Sequence, residues 1–178
     1  KARSLGNAHA FAVGVAVSRG VSLGGSIAKA EVRPTTRASI GANTRIGAGG
    51  AVRVVARHNQ DDSGIPLTWG ARANSAAGSG GLLVGAALVY GNADSAAQVD
   101  SSIGSGAEVD AGTGSVTVLA GSKNIAEADS TGVAAGTGAI SSPTATATIG
   151  GHTWSYVQGN IRKGGTGTAS GARSLTIA

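Results

Sequence analysis

Two stretches of this chain decide how it is read: Ser39-Ile40-Gly41-Ala42-Asn43-Thr44-Arg45-Ile46-Gly47-Ala48-Gly49-Gly50-Ala51-Val52-Arg53-Val54-Val55-Ala56, and, further on, Ser102-Ile103-Gly104-Ser105-Gly106-Ala107-Glu108-Val109-Asp110-Ala111-Gly112-Thr113-Gly114-Ser115-Val116-Thr117-Val118-Leu119-Ala120. The second repeats the first with one residue inserted. A weaker third copy closes the chain, Gly171-Ala172-Arg173-Ser174-Leu175-Thr176-Ile177-Ala178. Ala56 thus returns as Ala120, and Ala120 as Ala178. The period is therefore roughly 60 residues with about three copies, the signature of a repeat architecture. We divide the chain into one repeat domain, 1–178, of three units near 1–56, 57–120 and 121–178.

Within each unit the apolar residues alternate with small or polar ones, which is strand periodicity. Val13, Val15 and Val17 flank Gly14 and Ala16; Val52 and Val54 flank Arg53; Val116 and Val118 flank Thr117; Leu175 and Ile177 flank Thr176. Helix is disfavoured because nearly every candidate window holds Gly, which costs about 1 kcal/mol relative to Ala. Only Ile125–Asp129 allows a short helical reading. Small-residue tracts such as Gly80–Tyr90 and Thr131–Gly136 lie between the repeated blocks. The segment 57–69, polar and holding Pro66, interrupts the repeat and reads as an inserted loop.

The chain has 31 Gly and 34 Ala among 178 residues, but only five aromatics. Too few bulky side chains are present to fill a thick core. A narrow core lined by Val, Ile, Leu and Ala is expected, as in stacked β-coils with Gly at the corners. The predicted fold is all-β, a parallel β-solenoid (β-helix) of stacked short strands with Gly-rich turns. Each unit would comprise two or three coils of roughly 20–30 residues. The rival arrangement is an antiparallel sandwich that polymerises. Scarce Pro, low charge and ordered alternation argue against disorder.

Charge is segregated. Residues 1–72 carry +7, residues 73–160 carry −5, and Arg162, Lys163 and Arg173 add +3 at the end. Such alternation suits contacts between chains; the plainer reading is solvated strand faces. Arg33, Arg37, Arg45, Arg53 and Arg57 would line one face of stacked coils, without the interleaved aromatics that nucleic-acid binding needs. No nucleic acid is expected as a partner. No stretch is long and apolar enough for a spanning helix. Cys is absent, which excludes disulfides and thiolate metal sites. Met is absent as well, also at position 1, which suggests a processed or internal fragment.

The units "SIGANTRIGAGGAVRVVA" and "SIGSGAEVDAGTGSVTVLA", with tracts such as "GLLVGAALV" between them, resemble the β-strand repeats of giant bacterial surface adhesins of the filamentous-haemagglutinin-like and leukotoxin-like kind. The resemblance covers most of residues 10–150. It implies a parallel β-solenoid shaft, an extracellular or cell-surface location, and adhesive or matrix-building work. It supplies no catalytic residues. His152-Thr153-Trp154-Ser155-Tyr156 and the basic Arg162-Lys163 depart from the pattern.

Site expectations are few. Alternation puts His152, Trp154 and Tyr156 on one side of a strand, a platform for sugar stacking or a packed solenoid end. Arg45, Arg53 and Arg57 are candidate interface cations for an acidic glycan or a host surface. His58 beside Asp61 and Asp62 hints at acid–base or metal chemistry, but no second catalytic element accompanies it. Gly78-Ser79-Gly80-Gly81 precedes no helix, and Lys163-Gly164-Gly165-Thr166 lacks the order of a phosphate loop. Asp94, Asp100 and Asp110 are too irregular for a calcium roll. Thr144, Thr146 and Thr148 form one Thr run, where an ice-binding face needs several in register. We expect no enzyme and no cofactor. The expected function is a structural, self-associating segment or a neighbour of like repeats in a larger chain, with a carbohydrate-binding β module using Trp154 and Tyr156 as the alternative.

Overall fold

The structure, a computed structural model, describes residues 1–161 and 172–178. It contains strands and no helix among the described residues. In chain order the strands are β1 (Ala2–Ser4), β2 (Ala8–Ser18), β3 (Val21–Val32), β4 (Thr35–Ile40), β5 (Arg45–Gly47), β6 (Val52–His58), β7 (Ala71–Gly81), β8 (Val84–Ile103), β9 (Glu108–Asp110), β10 (Val116–Ser122), β11 (Ala126–Ala135), β12 (Gly138–Val157), β13 (Asn160–Ile161) and β14 (Leu175–Ile177).

They form four open sheets. Sheet 1 has the order β1-β6-β10-β14, sheet 2 β11-β7-β2, sheet 3 β12-β8-β3 with β4 also on β8, and sheet 4 β13-β9-β5. Among the described residues every strand pairing is parallel. The isolated bridge Gln60–Pro66, outside the strands, is antiparallel. This overturns the antiparallel sandwich. Parallel partners need a long crossover, and here each crossover is a pass through the other three sheets.

Pairing runs from each unit to the next: Glu108 lies beside Asn160, and Val52 beside Val116. Apart from β1, whose Ala2 meets Ala56 at the far end of the first unit, no described strand pairs within its own unit, so the expected short coils are corrected, and each unit makes a single wide pass. The residues matched in the sequence are the residues that pair. Ser39 faces Ser102 and Ile40 faces Ile103; past the corner, Val52 faces Val116 and the offset grows by one. The third copy is shifted by one residue from its sequence match, since Leu175 pairs with Val116 and Ile177 with Val118. Where a short helix was allowed at Ile125–Asp129, β11 begins at Ala126, and Ala71 N–H donates to the preceding Ile125 O.

The corner after sheet 3 shows how sequence makes the turn. Asn43 (φ 56°) and Gly106 (φ 69°) occupy this corner in successive passes. Gly enters the left-handed region without strain and Asn with little. A Cβ on Gly106 would sit 2.2 Å from Asn43 Oδ1, which the amide could swing away from, so the positive φ is the stronger reason for Gly there.

Two regions follow along the pass. In the arm, sheet 2 covers the first part of sheet 3: β2 packs on β3, β7 on β8 and β11 on β12. Its interior is Ala28, Ala30, Ala71, Ala73, Ala87 and Ala93 with Ser22, Ser75 and Ser79. The sheets approach so closely that a Cβ on Gly24 would lie 2.5 Å from Gly78 O, and one on Gly85 2.4 Å from Ala135 O. Serines bridge the gap: Ser22 Oγ and Ser79 Oγ are 2.7 Å apart, and Ser130 Oγ donates to Thr144 O at 2.7 Å. In the broad end, sheet 1 covers the second part of sheet 3. Val54, Val99, Ile103, Val109, Val116 and Val118 fill the space there.

The arm reverses the expected core. Phe11, Val13, Val15, Val17, Leu23, Ile27 and Leu88 face outward and are exposed, Val17 at 81%. Alternation predicted strands here correctly; which half of the alternation lies inside is set by the narrow gap between the sheets, which is lined mainly by Ala, Gly and Ser.

Candidate functional site

The outer face of sheet 3 in the broad end carries the most chemistry. Strand β12 pairs with β8 without a break, so His152, Trp154 and Tyr156 lie over Gln98, Asp100 and Ser102. β4 adds Thr35, Arg37 and Ser39 on the other side of the same rows. The three predicted residues do share a face. Trp154 is 60% exposed and its ring stacks on His152, with centroids 4.3 Å apart and planes 29° from parallel.

Beneath them lies Asp100, buried though its strand position faces outward. Arg37 Nη2 donates to Asp100 Oδ2 at 3.0 Å, and His152 Nε2 stands 3.2 Å from Oδ1. That second contact has ion-pair distance without hydrogen-bond geometry, and it gains charge only when His152 is protonated. A buried carboxylate needs such partners, since an unpaired one is costly to desolvate. The arrangement presents the His152–Trp154 stack as an exposed aromatic surface flanked by Arg37. Asp100 and Arg37 were missed as site residues in the sequence. The repeat offset would have found them, because the register that sets Ser39 beside Ser102 also sets Arg37 beside Asp100.

The arginines do not line one face. Arg33 lies between β3 and β4, Arg37 belongs to sheet 3, Arg45 to sheet 4, and Arg53 and Arg57 to sheet 1. Most pair with the acids of the next pass: Arg33 with Asp94, Arg37 with Asp100, Arg45 Nε with Glu108 Oε2 at 2.9 Å, and Arg72 Nε with Glu127 Oε2 at 3.0 Å. The charge segregation seen in the sequence thus goes largely into ladders between passes. Hydrogen bonding to Asp94, with the charges of Asp94 and Glu31, raises the Arg33 pKa further above its ordinary value. Arg53 is exposed opposite Thr117. Arg57 Nη1 donates to the carbonyls of Asp61, at 2.9 Å, and of Asp62, pinning the inserted loop.

His58 does not meet the acids beside it in sequence. Its side chain is fully buried, and Nδ1 lies 3.0 Å from Ser4 Oγ, which also bonds Thr36 Oγ1. Desolvation pushes its pKa below the ordinary histidine value. Asp61 turns the other way: Oδ1 accepts from Ile65 N and Ser63 N, both at 2.8 Å, which holds its pKa below the usual carboxylate range. Next to His58, Asn59 (φ 47°) closes the loop by donating from Nδ2 to Gly6 O and Trp69 O, each at 3.0 Å.

Asp94 and Asp100 are engaged by arginines, and Asp110 Oδ1 accepts from Gly112 N. Among the described residues no group of three His, Cys, Asp or Glu side chains converges to hold a metal. Thr144, Thr146 and Thr148 sit beside Tyr90, Asn92 and Asp94, so the Thr run is not repeated in register. Arg162, Lys163 and the Gly164–Thr166 stretch lie outside the described residues. Among the described residues no helix is long and apolar enough to cross a membrane.

No family model matches the chain, and searches of curated proteins and of solved structures return no match.

Proposed function

We propose that the chain is a non-catalytic structural segment: a parallel β-solenoid shaft of an extracellular bacterial surface adhesin or matrix fibre. One observation carries this reading. Four strand positions recur in fixed order through successive passes, with each pass bonded to the next along nearly its whole length. Such a body is quasi-one-dimensional: its length grows with added passes, and each pass stabilises its neighbours. Continuous backbone ladders resist local opening, and inter-pass ion pairs fix the register. Electron microscopy of the purified chain with far-UV circular dichroism tests the reading. Rods or filaments with a β spectrum are expected; an unordered spectrum would sink it.

A second reading rests on the Trp154–His152 stack. An exposed indole stacked on His152 beside Arg37 and a buried carboxylate suits a sugar ring, which stacks its apolar face on aromatics. Binding on a glycan array that disappears in Trp154→Ala would favour this carbohydrate-binding module. Silence of the array alongside rods would favour the shaft alone.

A further inference from the structure

The outer face of sheet 3 in the arm is apolar and exposed. Pairing sets its outward residues in four rows from tip to base: Val21, Val84 and Gly138; Leu23, Ala86 and Ile140; Gly25, Leu88 and Ser142; Ile27, Tyr90 and Thr144. None of these rows carries a charge, and the first that does, Lys29, Asn92 and Thr146, follows toward the broad end. The face looks sideways from the stack, so its exposure does not come from an open sheet edge. Leu88 shows this, being paired on both sides yet 64% exposed. A contiguous apolar face rimmed by polar residues marks an interaction surface.

The two central rows have opposite relief. One runs large, small, large across the passes: Leu23, Ala86, Ile140. The other runs small, large, small: Gly25, Leu88, Ser142. A half-turn about an axis along the stacking direction, passing between these rows, exchanges them. Leu23 then stands over Gly25 of a second copy, Leu88 over its Ala86 and Ile140 over its Ser142. Room exists for this. Only Leu88 O, at 3.6 Å, comes near a Cβ built on Gly25. A depression of about 250 Å³ lies beside Ser142, lined by Ile27, Leu88, Tyr90 and Thr144 among others. The outer rows exchange as well, setting Tyr90 over Val84 and Ile27 over Val21. Because the axis runs along the stack, each pass meets its own counterpart at the same strand spacing of about 4.8 Å. A slip by one pass would oppose Leu23 to Leu88, so the relief also fixes the register.

We propose that this face is an isologous interface between two copies of the chain, packed back to back through sheet 3 with their arms pointing in opposite directions. The proposal rests on the structural-segment reading and names the partner that joins single shafts into pairs. Sheet 2 offers no such fit. Its outward rows set Val13 and Thr131 around Ala76, and Val15 and Val133 around Gly78. A half-turn there would place ridge on ridge and leave the glycines over an empty channel. Past the sheet 3 patch, the tip of each copy with its Arg19 reaches the other's Lys29 and Arg33, where Glu31 and Asp94 stand among the cations. The patch measures roughly 26 Å by 14 Å from strand geometry. That is about half of what each partner buries in a standard interface, so three passes give a weak dimer that grows tighter with every pass in contact.

Sedimentation equilibrium of the chain from about 10 μM to about 1 mM tests this, a range that brackets weak association. A monomer–dimer equilibrium is expected. Gly25→Leu fills the recess that receives Leu23 and should weaken dimerisation at least about tenfold. On an indiscriminately apolar face the added leucine would strengthen it. Leu23→Gly combined with Gly25→Leu exchanges ridge and recess, and should restore dimerisation to within about threefold of the native chain. Ala86→Leu, opposite Leu88, repeats the test should Gly25→Leu not fold. A folded native chain that stays monomeric at about 1 mM would overturn the interface. So would dimerisation that the two recess-filling variants leave unchanged or stronger, or a folded double variant that does not recover. Far-UV circular dichroism on the same samples separates the failures. A β spectrum without dimer removes the interface alone, whereas an unordered spectrum of the native chain removes the structural reading beneath it.

Discussion

The arm and the broad end share one strand and use it in different ways. In the arm, β8 turns Gly85, Ala87, Val89, Gly91 and Ala93 inward and exposes Leu88 and Tyr90. A few residues on, the same strand buries Val99 and Ile103 inside and tucks Asp100 under the outer surface. The difference is the distance to the covering sheet. Where sheet 2 lies against β8, backbone approaches backbone and side chains larger than Val have no room. Where sheet 1 and sheet 4 stand off, branched side chains fill the gap as in an ordinary close-packed interior. Hydrophobicity selects the alternation, but space selects its inner half.

The largest expected effect that sharpens this contrast lies in the broad end. Ile103→Ala removes a fully buried side chain among Val99, Val109 and Val116, and should cost about 2–5 kcal/mol in urea unfolding. A cost below about 1 kcal/mol would mean that this end collapses freely and is no rigid core. In the arm the reverse operation should hurt. Gly24→Ala places a methyl 2.5 Å from Gly78 O and is expected to destabilise by about 1–3 kcal/mol. Its neighbour Gly25 turns to the other face, where the nearest atom is Leu88 O at 3.6 Å. Gly25→Ala should therefore be neutral or stabilise by up to about 1 kcal/mol. Equal effects from the two glycines would contradict the close approach of the sheets.

His58 marks the junction of the two regions and offers a pH test. Its folded pKa lies below the ordinary value of 6.5 because burial penalises the charged ring. The unfolded chain then binds the extra proton first as pH falls. Stability should be full above about pH 6.5 and decline below it, by at most about 1.4 kcal/mol per pH unit, until the folded pKa is reached. Denaturation midpoints from pH 8 to pH 5 read this directly, and the His58 contribution to the slope should vanish in His58→Gln. The smallest effect belongs to the outer face of the arm. Val15→Thr changes a residue 75% exposed, and isolated-chain stability should move by no more than about 0.5 kcal/mol. A larger loss would show that this apolar face is covered in solution.

Much of this was legible in the sequence, and particular residues show why. The pairing of Ser39 with Ser102 and of Val52 with Val116 follows from identity at a fixed offset, because like residues stack on like in consecutive passes. The shared face of His152, Trp154 and Tyr156 follows from strand alternation alone. The Ser39–Ser102 offset also sets Arg37 beside Asp100, but the seating of Asp100 beneath His152 and Trp154, and of His58 against Ser4, was not legible. Each depends on which residue of the neighbouring pass falls opposite it. His58 reads in sequence as a loop residue beside Asp61 and Asp62, yet the strand carries it inward while the loop folds back on Arg57.

Strand periodicity and the offset between the first two passes were determined by the sequence by itself, because these are local or self-similar properties that no distant contact alters. The tertiary structure alone decided the width of each pass, the inward turn of Ala and Gly over Val and Leu, and the burial of Asp100. Those depend on the gap between sheets, a distance set jointly by every strand that packs across it.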